Sequence, residues 1–302
     1  MSQTIVKKRV KDPMEDRILY GVVSVVLILL SVVVAYPIIY VLSSSFSSPS
    51  AVMSGKVILW PIQPSVQGYQ AVFSHQNIVR GYLNTVLYTT LGTLINVSMT
   101  LMCAYPLSRK DFPFRKFFTF LFMLTMFFGG GMIPSYILIV QLGFIDTIWS
   151  VIIPGAITAY NMIITRTFIS NSIPGALLEA AQIDGCSDAQ YFFRILLPLS
   201  SAVIAVITLF YAVGHWNSYF RALLYLNNPD LQPLQIILRN ILVANQVNLN
   251  EIKDPKLLAG KLGMADLLKY SLIVVSSAPI IALYPFVQKY FIKGVMIGSI
   301  KG

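Results

Sequence analysis

Charged residues are scarce in this sequence. Only 11% of its 302 residues are Asp, Glu, Lys or Arg, whereas 56% are hydrophobic. A soluble domain usually carries about a quarter charged residues, so this chain has too few to cover a water-facing surface. Buried helices of a large soluble protein would keep a polar face, which the long uncharged windows lack. Those windows cover residues 18–55, 81–108, 117–145, 147–165, 195–220 and 270–288.

Catalytic and metal-binding motifs are also missing. The two cysteines, Cys103 and Cys186, and the two histidines, His75 and His215, are far apart and offer no metal-ligand spacing. No phosphate-binding Gly-x-x-x-x-Gly-Lys-Ser/Thr loop occurs, and neither does a His-Glu-x-x-His or Gly-x-Ser-x-Gly motif. We therefore expect no enzymatic activity, no metal site and no cofactor bound by this chain.

The uncharged windows predict transmembrane helices. A bilayer core needs about 20 apolar residues per helix, and the windows lack the alternation of barrel strands. We predict an all-α integral membrane protein, multi-pass in the cell membrane, with Gly129, Gly130, Gly131 and Pro134 breaking the third span or its outer end. The six predicted spans cover residues 18–42, 83–107, 117–142, 148–168, 197–220 and 271–291.

The net charge of +10 reflects topology in this interpretation, rather than a nucleic-acid partner. Basic residues bias short loops to the cytoplasm. Lysines and arginines cluster before the first span, between spans two and three, and after span six, which predicts that both termini are cytoplasmic. Loops 43–80 and 223–268 are then extracellular. The first apolar run is too long for a signal peptide, so we expect it to remain as the first span.

The segment 172–198 predicts a helical hairpin in the cytoplasmic loop between spans four and five. Ser172 is a candidate N-cap, with Pro174 in the first helical turn. Gly185 ends this helix in a left-handed conformation, and Ser187 with Gln190 has the spacing of a capping box that starts the next helix.

The composition of the hairpin favours a protein partner. Ala180 and Ala181 lack bulk, so another surface can approach closely, while Glu179 and Asp184 supply charges that can fix its orientation. An alternative is a helix lying on the bilayer. Such a helix would be expected to be rich in Lys and Arg, whereas this one carries acids.

Polar and aromatic residues gather at the end of the fifth span. Aromatic faces and polar edges suit sugar rings, but Trp and Tyr also act as anchors at the membrane interface. Both interpretations stay open. The candidate substrate-pathway residues are Tyr211, His215, Trp216, Asn217 and Tyr219.

The hairpin also carries a family resemblance. Glu179-Ala180-Ala181, Gly185 and Ile195-x-Leu197-Pro198 resemble the EAA loop of ATP-binding-cassette (ABC) importer permeases. Other stretches resemble the MalG-like carbohydrate branch, and within it the YtcP/LplC type linked to complex plant polysaccharides. They are Asn84-Thr85, residues 104–110, residues 129–134, residues 216–238 and the tail 298–302.

The resemblance implies the type I ABC importer fold and a set of partners. A second, different permease subunit would complete the pathway, and two ATPase subunits would bind ATP and Mg²⁺. An extracellular binding protein, lipid-anchored or periplasmic, would deliver an oligosaccharide. The ATPase-coupling residues would be Glu179, Ala180, Ala181, Asp184, Gly185, Ile195, Leu197 and Pro198. The loop 223–268 would touch the binding protein, and Lys301 would reach the ATPase interface.

Two other functions remain as alternatives. An ion-coupled secondary transporter would normally show intramembrane Asp, Glu or Arg for ion or proton coupling, and none is visible in the uncharged windows. A membrane scaffold or receptor that transports nothing would leave the cytoplasmic hairpin without a role.

Overall fold

The computed structural model describes residues 13–249 and 255–299 of the chain. All regular secondary structure in these residues is helical, which confirms the all-α prediction. A short 3₁₀ turn lies at Pro229–Leu231. The helices are α1 (Met14–Ser45), α2 (Pro49–Met53), α3 (Gln67–Phe73), α4 (Ile78–Ser108), α5 (Arg115–Phe127), α6 (Met132–Gln141), α7 (Trp149–Ile152), α8 (Ala159–Ser172), α9 (Gly175–Ile183), α10 (Asp188–Leu199), α11 (Ser201–Trp216), α12 (Phe220–Tyr225), α13 (Leu234–Leu249) and α14 (Pro255–Ser299).

Three helices among the described residues are long and apolar enough to cross a membrane: α1, α4 and the part of α14 at Gly260–Ala282. Two bent pairs, α5 with α6 and α10 with α11, raise this number to five if each pair forms one span. The segment predicted as the fourth span, 148–168, is not one helix. Residues 153–158, which include Pro154 and Gly155, separate α7 from α8.

The glycines in the third predicted span do interrupt it. Helix α5 ends at Phe127 and α6 begins at Met132, with a bend of 115° between them. Gly131 has φ +84°, a conformation that side chains with a Cβ rarely adopt. The break predicted at these residues is therefore confirmed.

The chain divides into two compact units. The first combines the residues up to Ala71 with Leu249–Val274. Its small core joins Ala51 and Val52 to Leu267, and Tyr40 packs edge-to-face on Tyr270 with ring centroids 5.6 Å apart. The apolar 18-residue window of α1 has no residue buried inside the chain, so its surface is available to lipid or to another subunit.

The second unit combines Val72–Asn248 with the residues from Val275 onward and holds the larger core. Helix α4 is central and packs on α8 and α11. Leu101 and Ala104 of α4 meet Met162 of α8 and Ile207 of α11, and all four side chains are buried. This packed core connects the hairpin α9–α10 to the helices that cross the membrane.

Candidate functional site: the coupling hairpin and the polar cluster of α11

The hairpin begins later than the sequence suggested. Ser172 is the last residue of α8, so the prediction of Ser172 as N-cap is wrong. Pro174 takes the N-cap position of α9 instead of lying in the first turn. Since residue 172 still belongs to the preceding helix, only Ile173 and Pro174 separate the two helices.

The turn between α9 and α10 is a Schellman motif centred on Gly185. Gly185 has φ +75°, its N–H donates to the carbonyl of Gln182 at 3.1 Å, and the N–H of Cys186 donates to the carbonyl of Ala181 at 2.9 Å. A Cβ at position 185 would meet no heavy atom within 4 Å. Glycine is required here for its backbone conformation rather than for space, as the sequence predicted.

A capping box starts α10 directly after the turn. The Ser187 hydroxyl accepts the N–H of Gln190 at 3.3 Å, and the Gln190 side chain accepts the N–H of Ser187 at 3.0 Å. The N–H groups of Ser187 and Gln190, which have no partner within the helix, therefore both have acceptors, and the predicted capping box is confirmed. The hairpin geometry follows from local sequence chemistry.

The two motif alanines of α9 have opposite roles. Ala181 is buried in the chain's own core, with Tyr191 and Phe192 in the same cluster, so its small size serves internal packing. Glu179 and Ala180 are exposed, together with Ile183, whose exposure is 86%. On a helix, positions 179, 180 and 183 share one face. Ile183 was not among the coupling residues predicted from the sequence, although its i+3 spacing from Ala180 places it on that face.

Helix α10 contains an irregular turn and then a sharp bend. Phe192–Leu196 forms a π-helical turn, and the axis turns by 81° where α11 begins. Pro198, which is exposed, has no N–H to donate within the helix, and π-turns and prolines are the usual causes of kinks. Ile195 and Leu197 pack against the unit's own core, so they hold the hairpin to the membrane helices.

An arginine directly after the C-terminal end of α4 ties α10 in place. Arg109 makes a bidentate pair with Asp111, with Nε to Oδ1 at 3.0 Å and a terminal nitrogen to Oδ2 at 2.5 Å, and it also pairs with Asp188. Its guanidinium lies 6.0 Å from the ring centroid of Tyr105. The Arg109 guanidinium holds the pKa of the Asp111 carboxyl below its usual range. We call these residues the Arg109 clamp.

The Arg109 clamp was not predicted as a site. Arg109 stands in a stretch that carried only the family resemblance, and Asp188 lies 79 residues further along the chain. The available signal was a lone acid at the start of α10 facing a basic loop. Sequence alone could not bring the two together without the packing of α4 against α10.

The five candidate pathway residues do not form one site. Tyr211 and His215 line a common cavity of about 110 Å³, below the size of an ordinary ligand pocket. Tyr211 pairs with Thr100 at 2.6 Å, and the side-chain amide of Asn96 lies 3.0 Å from His215 Nε2. Both are satisfied by neighbouring helices in the described structure, which favours a packing role.

The other three candidates point elsewhere. The Trp216 indole donates to the carbonyl of Ser276 at 2.9 Å. Asn217 is exposed and donates to the carbonyl of Val213 at 3.0 Å, while Tyr219 packs at the edge of a separate core cluster with Tyr88. Lys301, the predicted contact with the ATPase interface, lies outside the described residues.

Comparison with known proteins agrees with this architecture. Residues 9–297 match the family of binding-protein-dependent transport system inner membrane components. The chain is 39% identical to the polygalacturonan/rhamnogalacturonan transport system permease protein YtcP of Bacillus subtilis (strain 168), over 97% of this chain and 100% of that protein. It is 37% identical to Protein LplC of the same organism, over 88% of this chain and 89% of that protein.

A solved structure shows the same fold. One chain of a bacterial ABC transporter involved in the import of the acidic polysaccharide alginate superposes with a TM-score of 0.81. The two are 33% identical, and the match covers 93% of this chain and 99% of that chain. The protein therefore belongs to the family of inner membrane components of binding-protein-dependent ABC transport systems.

Proposed function

We propose that this chain is one of two different permease subunits of an ABC importer and forms half of the pathway for an oligosaccharide. The hairpin is the observation that supports this most directly, because it exposes Glu179, Ala180 and Ile183 on one face and fixes its other face in the core. Two of the similar proteins named above belong to systems for polygalacturonan/rhamnogalacturonan transport and for alginate import. Nothing in the fold favours an ion-coupled transporter or a scaffold.

The exposed face of α9 is the proposed ATPase-docking surface. Ala180 lets a partner approach closely, Ile183 supplies an apolar anchor, and Glu179 accepts charged hydrogen bonds. Asp184 and Gly185 shape the end of this surface. Because Ala181, Ile195 and Leu197 are packed in the core, a movement of the docked helix is passed to the membrane helices as a rigid body.

The proposed topology has six crossings with both termini in the cytoplasm. The clustered Lys and Arg residues support this orientation. The fourth crossing would be made by α7, residues 153–158 and α8 together, since irregular backbone is tolerated where it is buried in protein. In this arrangement loops 43–80 and 223–268 face the outside, and the second of them meets the binding protein.

In this proposal separate ATPase subunits bind ATP and Mg²⁺ and hydrolyse the ATP. The permease chain itself catalyses no reaction. The test is uptake by the full complex in proteoliposomes, with oligosaccharides released from polygalacturonan, rhamnogalacturonan and alginate as probes. We expect uptake that requires both ATP and the binding protein. Uptake driven by an ion gradient without ATP would contradict the proposal and favour a secondary transporter.

A substitution in α9 tests the docking surface. Glu179→Ala removes hydrogen bonds with one ionised partner, which contribute about 1.5–3 kcal/mol and therefore about tenfold or more in docking. We expect normal membrane levels but loss of the ATPase stimulation by loaded binding protein. Glu179→Gln keeps a side-chain acceptor, so its ATPase stimulation should lie between that of the wild type and that of Glu179→Ala. Wild-type stimulation in Glu179→Ala would remove α9 from the proposed interface.

A further inference from the structure

A large basic cavity lies next to the Arg109 clamp but is not part of it. Its volume is about 690 Å³, and four cationic side chains line it. Lys110 comes from the loop after α4, Arg115 and Lys116 from the first turn of α5, and Arg166 from α8. Three separate segments thus bring positive charge to one space. We call it the basic cavity.

The charges of the basic cavity are not neutralised by the protein. Among the described residues, the ion pairs involve Arg80, Arg109 and Lys269, and no carboxylate lies within 4.0 Å of the four cavity cations. The nearest acid in sequence, Asp111, is taken by Arg109. Like charges that share a cavity repel each other, and a bound anion would relieve that repulsion.

Two of the cations are half-buried, and one of them is held in place. Arg115 and Arg166 are half-buried, and Arg166 Nε donates to the carbonyl of Leu107 at 2.9 Å. This bond fixes the guanidinium while other N–H groups remain available to a ligand. A fixed guanidinium binds phosphate oxygens in a bidentate manner and loses little side-chain entropy on binding.

The position of the cavity points to a lipid. Helix α4 ends at Ser108 and α5 begins at Arg115, so the cavity lies where two apolar helices reach the end of the membrane. The remaining lining is partly apolar, from Phe112, Phe114 and Met123. We propose that the basic cavity binds the phosphate of an anionic phospholipid, with the apolar side chains contacting its glycerol and acyl chains.

The same arrangement of charges has a simpler explanation, and the test must distinguish that explanation from lipid binding. Lys and Arg in short loops set membrane orientation, and this requires charge but no particular geometry. A lipid site requires the guanidinium fork at positions 115 and 166. The two explanations therefore differ in how they respond to Arg→Lys, which keeps the charge and removes the fork.

The experiment measures phosphatidylglycerol retained by the complete transporter after transfer from mixed phosphatidylglycerol and phosphatidylcholine vesicles into detergent. We expect Arg115→Gln with Arg166→Gln to lower retention on the order of tenfold, as two basic contacts at a membrane surface predict. The double Lys variant should retain an intermediate amount at unchanged orientation. The matched control is Arg17→Gln with Arg194→Gln, which removes the same charge away from the cavity and should retain wild-type amounts.

Four retention results would overturn the proposal. They are wild-type retention by the double Gln variant, retention by the double Lys variant equal to wild type, displacement of the lipid by inorganic phosphate at comparable concentration, and retention only after the ATPase subunits have been removed. The third would assign the site to free phosphate, and the fourth to an acidic segment of the ATPase. Cysteine labelling of each variant fixes its orientation, so a reversed topology is detected and also counts against the lipid.

Discussion

Two groups of basic residues on the loop between α4 and α5 differ in their electrostatic surroundings. Arg109 is neutralised by Asp111 and Asp188, and only 15% of its side chain is exposed. A few residues further on, Arg115 lines a cavity in which no described carboxylate balances it. Both groups fit the proposed cytoplasmic orientation of this loop. Neutralised charge holds helices together, whereas uncompensated charge is available to a ligand.

The sharpest test of this comparison replaces each arginine in turn. Arg109→Gln removes the ion pair that joins the end of α4 to α10 through Asp188, and it should weaken the attachment of α10 by about 1 kcal/mol because the Asp188 carboxylate is exposed. We expect amide exchange in residues 175–191 to accelerate about fivefold. Arg115→Gln is the matched control and should leave exchange in the hairpin unchanged. Equal effects from both variants would remove the distinction.

The second prediction concerns the turn at Gly185, which precedes Asp188, the partner of Arg109. Gly185→Ala forces a Cβ into φ +75° and should cost about 1 kcal/mol, whereas Gly175→Ala has no such strain. Neither new methyl group would meet a heavy atom within 4 Å, so the pair isolates the backbone effect. We expect slower uptake and faster hairpin exchange in Gly185→Ala alone. Similar results for both glycines would mean that the turn conformation does not matter.

A smaller effect is expected at the acid itself. Asp188→Asn loses one charge-assisted contact of the clamp, and exposed pairs of this kind contribute about 0.2–1 kcal/mol. Asp184→Asn is its control, because Asp184 is exposed and the structure gives it no ion pair among the described residues. Hairpin exchange should rise modestly in Asp188→Asn only. A rise of the same size in Asp184→Asn would indicate a general effect of charge on the hairpin.

The smallest effect is a pH dependence. Arg109 lowers the pKa of Asp111 in the folded protein, so the stabilisation is complete above the unfolded value of about 4 and is lost as pH falls through the lowered folded pKa. Melting temperature should decline more steeply in the wild type than in Arg109→Gln below about pH 4. Identical slopes would mean that the clamp does not titrate. The basic cavity has no described carboxylate and should add nothing to this decline.

Features that depend on local sequence were predicted correctly. The uncharged windows located α1, α4 and part of α14, since a span needs only length and apolarity. The capping box at Ser187 and the left-handed Gly185 were also predicted correctly, because each depends on residues a few positions apart. The break at Gly131 belongs to the same class.

Features that depend on tertiary packing could not be predicted from the sequence. Burial of Ala181 with exposure of Ala180 could not be predicted, because that difference depends on where α10 lies. The fourth predicted span is divided at Pro154, although apolarity alone suggested a continuous helix. The contact of Arg109 with Asp188 depends on where α10 lies against the end of α4, and the convergence of Arg115 with Arg166 depends on the packing of α5 against α8.

The π-helical turn at Phe192–Leu196 sets the direction in which the hairpin points. A π-turn closes i→i+5 hydrogen bonds and so holds one more residue than the α-helical turn that would take its place. Deleting one residue there would restore an α-helix and rotate everything before it by about 100°, with a shift of about 1.5 Å. Asp188 would leave Arg109, and the docking face of α9 would turn with it. The one extra residue of this turn therefore fixes which side chains of α9 and α10 face the rest of the chain and which face outward.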